Sequence, residues 1–365
     1  MKQYDIKEYS LIPPPFGGVS VYLMRLVQQL NQDGIKAGAY YSCDNNDDTI
    51  KNSPLFDEFQ WDENESKFSR AVSHIKRIIR ASEKYEILHI HGHEVMILAS
   101  LVRFFLRQKI VVTIHNAMIV ETFSRFSFIK KQAFKYLAQQ DIQWIAVSEQ
   151  AKDNILKVPV RFRNPIIVIP AYVPDKSSPQ PLSKDLSDYI KRHDKIISFY
   201  GRSFMHYKGK DVYGFRTIIK LYSKLNCLKN KSIGFILCIS DISDTESILK
   251  LHQYAKELHV DDEIFWQLGA IKEIRSLWLA TDLYVRPTST DGDSVSIRDV
   301  LAEGVAVVAS DVCQRPNGVI TYRYGDDDEL LRKCKELLFR KREKSFENES
   351  PYIKMKDIYL SILNR

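Results

Sequence analysis

Short β-rich apolar runs alternate with amphipathic helical patterns twice along this chain, once on each side of a proline-rich break. In the first half Val19, Leu23, Leu26 and Leu30 recur at three- and four-residue spacing with Gly34 behind them, which predicts a helix over 18–33. Strands are predicted at 37–41, 87–91, 110–114, 144–147 and 166–169, with helical patterns between them. Pro174, Pro179 and Pro181 fall within eight residues and mark a linker. The pattern then restarts with a strand at 195–200, a polar loop after Gly201, a helix over 211–225, and strands at 233–239, 263–268, 283–286 and 306–309. Such alternation folds as parallel sheets covered by helices, an α/β class, and 365 residues suit two cores better than one. The expected organisation is a Rossmann-like domain over 1–173, a linker over 174–188 and a second Rossmann-like domain over 189–348. A final helix over 349–365 is expected to pack back on the first domain.

Composition narrows the class. Hydrophobic residues make up 44% and charged residues 27%, the balance of a globular protein, and no apolar run approaches the roughly 18–20 residues that span a bilayer. The first residues, Met1-Lys2-Gln3-Tyr4-Asp5, lack the apolar core of a secretion signal, so a cytoplasmic location is expected. Cys43, Cys227, Cys238, Cys313 and Cys334 are odd in number and without metal-ligand spacing, and are read as reduced thiols. Net charge is +7, and residues 101–163 alone hold eleven Lys/Arg against four acids, an excess equal to that of the whole chain. No nucleic-acid recognition signature accompanies this basic segment, so nucleic acid is not expected as a partner. Within it, residues 125–136 mix Arg125, Lys130, Lys131 and Lys135 with Phe126, Phe128, Phe134 and Tyr136 at helical spacing. That pattern suits a helix lying on an anionic membrane surface, and equally a helix that turns its aromatics inward and its lysines to water.

Open parallel sheets bind ligands in loops at the carboxyl ends of their strands, and two such domains facing a cleft would share a site there. Pro13-Pro14-Pro15-Phe16-Gly17-Gly18 leaves the first strand and enters a helix, where backbone N–H groups and the helix dipole favour an anion. The loop from Gly201 to Gly209 carries Arg202 and Lys208; two cations suit a diphosphate leaving group, although spacing alone fits two solvated surface cations as well. The segment 286–304 is the most specific. A strand ends at Arg286, Asp293 or Ser294 can cap the helix that follows, and Asp291 and Asp299 bracket that helix's N-terminus. Carboxylates there can accept hydrogen bonds from sugar hydroxyls, while helix N–H groups meet phosphate or sugar oxygens.

In combination, the Gly17-Gly18 loop, Thr113-Ile114-His115-Asn116, Ala146-Val147-Ser148, the Arg202/Lys208 pair and two carboxylates eight positions apart resemble the retaining glycosyltransferases of glycosyltransferase family 4. The resemblance spans nearly the whole chain and implies the GT-B fold. It implies that Gly17 and Gly18 meet the donor diphosphate, that His115 lies at the donor sugar, and that Arg202 and Lys208 stabilise the departing diphosphate. Asp291 takes the first acidic position, facing sugar hydroxyls and the reacting centre; Asp299 takes the second, at the ribose, with Asp293, Ser294 and Val295 completing the donor loop. The family usually has Glu at both acidic positions, and its Pro after the Gly304 region is replaced here by Val305-Ala306-Val307. The implied activity is retaining transfer from a nucleotide-diphosphate sugar, UDP favoured, to an acceptor hydroxyl. The implied acceptor is a lipid-linked saccharide in O-antigen or capsule synthesis, at the inner face of the membrane. No metal or other cofactor is expected.

Two metal readings compete with this one. Asp291-Gly292-Asp293 has the form of an Asp-x-Asp cation site, against which its late position argues. His89, His91 and His93 alternate as strand ligands for zinc can, though Gly92 takes His93 out of the strand and favours a strand-end histidine near the site instead. The rivals in function are a non-catalytic two-domain sugar-binding protein, a nucleotide-sugar epimerase and a phosphorylase. The first would carry a signal peptide, the second would need no acceptor, and the third a pyridoxal-phosphate lysine site that no segment suggests.

Overall fold

The computed structural model describes residues 4–12, 17–42, 48–59, 66–91, 109–115, 119–226, 232–271, 274–338 and 350–364. The chain divides into two compact units, Met1–Val173 with Glu349–Arg365, and Pro174–Asn348.

The first unit is built on seven parallel strands: β1 (Tyr4–Ile12), β2 (Ala37–Ser42), β3 (Phe56–Phe59), β4 (Tyr85–Ile90), β5 (Lys109–Ile114), β6 (Ile142–Ala146) and β7 (Ile166–Val168). Their order, β3-β2-β1-β4-β5-β6-β7, reverses direction between β1 and β4, the position at which doubly wound sheets open a ligand crevice. One face packs Ile6, Ile87, Val111 and Ile145 against the helix Gly18–Gln32 and against the C-terminal helix Pro351–Leu363, which inserts Tyr352, Met355 and Tyr359. The opposite face buries Leu88, Ile110 and Val112 beneath the helices Phe128–Ala138 and Glu149–Leu156.

The second unit repeats the plan with β8 (Lys195–Gly201), β11 (Ile233–Ile239), β12 (Ile264–Leu268), β13 (Leu283–Arg286), β14 (Ala306–Ser310) and β15 (Val319–Tyr322), all parallel, and a two-stranded hairpin of β9 (His206–Tyr207) and β10 (Lys210–Asp211). The order β12-β11-β8-β13-β14-β15 places its reversal between β8 and β13. These two strands pair only at Ile197/Leu283 and Ser198/Tyr284, so they diverge toward their carboxyl ends.

The helix expected from 211 begins instead at Phe215. Asp211 Oδ1 accepts the N–H of Tyr213 and Oδ2 that of Phe215, and Gly214 has φ +78°, so the intervening residues form a turn rather than a first helical turn. The segment read as linker holds a helix of its own, Lys184–Lys191, which buries Leu186 and Tyr189 in the second unit. The edge strands β3 and β15 and the hairpin were not foreseen. They are two to four residues long, and β3, β9 and β10 carry Asp57, Glu58, His206, Lys210 and Asp211 in place of an apolar run. Of the cysteines, Cys238 and Cys334 are buried free thiols and Cys313 is half-buried; Cys43 and Cys227 lie outside the described residues. No helix among the described residues is long and apolar enough to cross a membrane.

Candidate active site

The chemistry of the first unit gathers at the β1/β4 reversal. Alternation along a strand sends residues i and i+2 to one face, so Glu8 of β1, His89 of β4 and Thr113 of β5 share a face, and Glu8 and His89 are direct partners in the ladder. Burial leaves these polar groups only one another. The Glu8 carboxylate accepts from the Tyr359 hydroxyl at 2.7 Å and from His91 Nε2 at 2.7 Å, and His89 Nδ1 stands 3.0 Å from it. His89 Nε2 lies 2.7 Å from Thr113 Oγ1, and His91 Nδ1 lies 2.8 Å from Nε2 of His115, the residue just past β5. Burial alone would raise the Glu8 carboxyl, but His89 and His91 outweigh it by charge and hydrogen bonding and hold it below the usual carboxylate range. Burial also pushes His91 down to about 4 and His115 well below its ordinary value, so both are neutral at physiological pH. Tyr22, from the helix Gly18–Gln32, sets its ring edge-on to His91 and His115, and its buried hydroxyl has no hydrogen-bond partner among the described residues.

Glu8, His89 and His91 are the described His/Cys/Asp/Glu group compact enough to suggest a metal centre. Their spacing fits hydrogen bonds instead. Ligand bonds of about 2.0–2.1 Å at tetrahedral angles hold ligand atoms roughly 3.3 Å apart, whereas the carboxylate oxygen here lies 2.7 and 3.0 Å from the two ring nitrogens. His93, the third histidine of the alternating set, lies outside the described residues, as do Pro13, Pro14, Pro15, Phe16 and Asn116. Gly17 occupies the N-cap of the helix that Gly18 opens, with no side-chain cap, so the first-turn N–H groups are left to other acceptors. Ser148, by contrast, caps its own helix through the N–H of Ala151.

In the second unit, the carboxyl ends of β8 and β13 carry Arg202 and the loop from Pro287 to Ser294. Where the β8/β13 ladder stops, Arg286 Nη1 bridges it by donating to the Tyr200 carbonyl at 3.0 Å. The same guanidinium reaches Asp291 at 3.2 Å through Nε and at 3.4 Å through Nη2, and stacks over Tyr213 at 5.1 Å. Arg315, absent from the sequence-based set, donates Nη1 to Asp291 Oδ2 at 2.9 Å, Nε to the Ser310 carbonyl at 2.9 Å and Nη2 to Thr288 Oγ1 at 3.1 Å. Burial works against ionisation of Asp291, but the two guanidinium groups hold its carboxyl down to about 2. Asp291 is thus the hub of a buried ion-pair cluster, its oxygens taken up by Arg286, Arg315 and the N–H of Gly292.

Asp293 accepts from Arg298 Nε at 2.8 and 2.9 Å, Ser294 is the N-cap of the helix Val295–Ala302 through the N–H of Ile297, and Asp299 is buried on that helix's second turn. With Arg286, Arg298 and Arg315 at the two carboxylates, Asp291-Gly292-Asp293 is neutralised by guanidinium groups, a poor setting for a divalent cation. Lys208 sits exposed at the tip of the hairpin with φ +50°, next to Gly209 at φ +75°, and its Nζ lies 5.1 Å from the centre of the Tyr207 ring. Gly201 admits no side chain, because a Cβ there would collide with the Phe215 ring. Within this unit, then, the predicted residues Arg202, Asp291, Asp293, Ser294, Val295 and Asp299 all lie on the segments that follow β8 and β13.

Two doubly wound sheets, each with polar loops at its reversal point, are the architecture of GT-B glycosyltransferases, and solved structures share it over the whole chain. Sucrose-phosphate synthase from Thermosynechococcus elongatus is 15% identical, with 99% of each chain covered and a TM-score of 0.69. A glycosyltransferase from Rickettsia africae is 16% identical, with 100% of each chain covered and a TM-score of 0.70. Anabaena HepE, solved in complex with UDP-glucose, is 17% identical over 91% of this chain and 90% of its own, with a TM-score of 0.66. Residues 16–176 match the family model for Glycosyltransferase Family 4. No curated protein matches the chain by sequence.

Proposed function

We propose that this chain is a retaining glycosyltransferase that moves a sugar from a nucleotide-diphosphate donor, UDP-linked, to the hydroxyl of an acceptor. The observation that carries the proposal is the repetition of one device in both units: polar and charged residues collected where each parallel sheet reverses, on a chain whose first unit matches the Glycosyltransferase Family 4 model. Complexes of Anabaena HepE with UDP, with UDP and glucose, and with UDP-glucose support a UDP-sugar donor.

Arg202 and Lys208 take the diphosphate and stabilise its charge as the glycosidic bond breaks; the leaving oxygen receives the acceptor proton on the same face. Gly17 and Gly18 offer backbone N–H groups to the diphosphate, and His115 meets the donor sugar. Ser294, Val295 and Asp299 receive the nucleotide, with Asp299 at the ribose. Asp291 and Asp293 act through their ion pairs, holding the guanidinium groups of Arg286, Arg315 and Arg298 in place. No metal or other cofactor takes part in this reading.

The acceptor is a lipid-linked saccharide of the O-antigen or capsule type, met at the inner face of the cell membrane. Phe128 and Ile129 begin a helix 75% and 72% exposed beside Arg125 and Lys130, while Phe134 and Leu137 of the same helix are buried. The exposed first turn is what supports the membrane reading. The later aromatic face of the helix turns inward, and its first turn offers apolar side chains and cations to an anionic surface.

Thermal-shift measurement against UDP, GDP, CMP and UDP- and GDP-sugars, with and without EDTA, tests the donor. A ligand that binds the folded state alone raises Tm by mass action. The expected result is a UDP-selective shift that EDTA leaves unchanged. A shift with free sugars and none with nucleotides would establish a sugar-binding protein instead.

A further inference from the structure

With Glu8 ionised and His91 neutral, the hydrogen bonds from Glu8 through His91 to His115 admit one arrangement of protons. An ionised carboxylate only accepts, so His91 Nε2, 2.7 Å from Glu8 Oε2, carries a proton. A neutral imidazole with its proton on Nε2 has a lone pair on Nδ1, and in His91 that lone pair faces His115 Nε2 at 2.8 Å. His115 Nε2 must therefore be the donor, which leaves Nδ1 of a neutral His115 as an acceptor. The Glu8 end is held from two further sides, by the Tyr359 hydroxyl on the C-terminal helix and by His89, itself anchored on Thr113. Because His91 and Glu8 are buried, water does not compete for these bonds.

We propose that Glu8 and His91 are positioning residues that lock His115 in the Nε2–H form, so that its Nδ1 accepts a hydrogen bond from a hydroxyl of the donor sugar. The inference rests on the reading of His115 as a donor-sugar contact and adds the chemistry of that contact. The sugar must present an O–H there; a carboxylate, a phosphate oxygen or a bare methylene at that place would face a lone pair with nothing to donate. A site that requires one hydroxyl in this way leaves its own acceptor unpaired when the hydroxyl is missing, and such a loss discriminates strongly.

Two measurements test this separately. Nitrogen-15 correlation spectra of the whole protein read the His115 tautomer with no ligand present. The wild type should show a protonated Nε2 and a bare Nδ1, His91→Asn should keep that pattern because its amide oxygen can take the place of Nδ1, and His91→Leu should yield a mixture. A wild-type His115 protonated at Nδ1, or a tautomer that His91→Leu leaves unchanged, overturns the proposal. The second measurement is Kd for UDP-glucose and for analogues each lacking one hydroxyl. One analogue should bind the wild type at least 10-fold more weakly, and His115→Ala should bind that analogue and UDP-glucose alike. Equal losses for all analogues overturn the hydroxyl assignment. If the tautomer is as expected and UDP-glucose does not bind, the relay stands and the UDP-sugar reading of the site fails.

Discussion

Arg315 lies 2.9 Å from the Asp291 carboxylate across twenty-four positions of sequence, with its side chain 3% exposed. Together with Arg286 it makes Asp291 the centre of a cluster that ties β13, the loop after it and the segment after β14 into one unit. Removing Arg315 leaves Asp291 paired with Arg286 but strips the buried Ser310 carbonyl and Thr288 hydroxyl of a donor, and buried polar groups left without a partner cost about 1–3 kcal/mol each. Arg315→Ala should therefore lower the urea unfolding midpoint strongly. Arg315→Lys should rescue little, since a single ammonium cannot reach Asp291, Thr288 and the Ser310 carbonyl in the planar fork that the guanidinium uses.

Lys208 offers the opposite case. It is exposed on a hairpin tip, so Lys208→Ala should leave Tm close to that of the wild type. If its ammonium stabilises the departing diphosphate, turnover should fall by about 10²–10³-fold. Steady-state kinetics alongside a melting curve separates the two effects, and a near-normal rate removes Lys208 from the proposed clamp.

The exposed pair Phe128 and Ile129 makes membrane association measurable. Replacing both by Ser should abolish sedimentation with vesicles containing anionic lipid while leaving Tm unchanged, because neither side chain is buried in the unit's core. Added salt should weaken the wild-type interaction by screening the neighbouring cations. Equal sedimentation of wild type and variant would assign the exposed pair to another role.

Acid sensitivity should differ between the units. His91 is held to about 4 against an ordinary 6.5, so the unfolded chain binds its proton first; the stability this contributes is complete above about 6.5 and is lost as pH falls toward 4. Asp291 is held to about 2 against 3.8, and its contribution is lost only between about 4 and 2. Unfolding followed by urea across this range should show the first unit weakening in mild acid and the second below pH 4. His91→Asn should flatten the first dependence, and Asp291→Asn the second.

Much of this was legible in the sequence. Apolar runs located strands such as β4, β5, β8 and β11 and helical spacing the helix after β1, the prolines from Pro174 stand where one unit gives way to the other, and the segment from Arg286 to Gly304 was recognisable because its strand, loop and helix are contiguous. These features depend on neighbours a few positions apart, so local pattern suffices to reveal them. What tertiary structure alone decided is which distant groups meet. Glu8 is one of several polar residues of β1 and Tyr359 one of two tyrosines on the last helix; neither belongs to a motif, and they meet because parallel pairing sets β1 beside β4 and the last helix covers their shared face. Arg315 had no motif at all, and Asp291, which the resemblance sets facing sugar hydroxyls, is also held by two guanidinium groups. Burial is the reason. Once water is excluded, a polar group must find its partner within the fold, and that partner is set by strand order and helix packing rather than by distance along the chain.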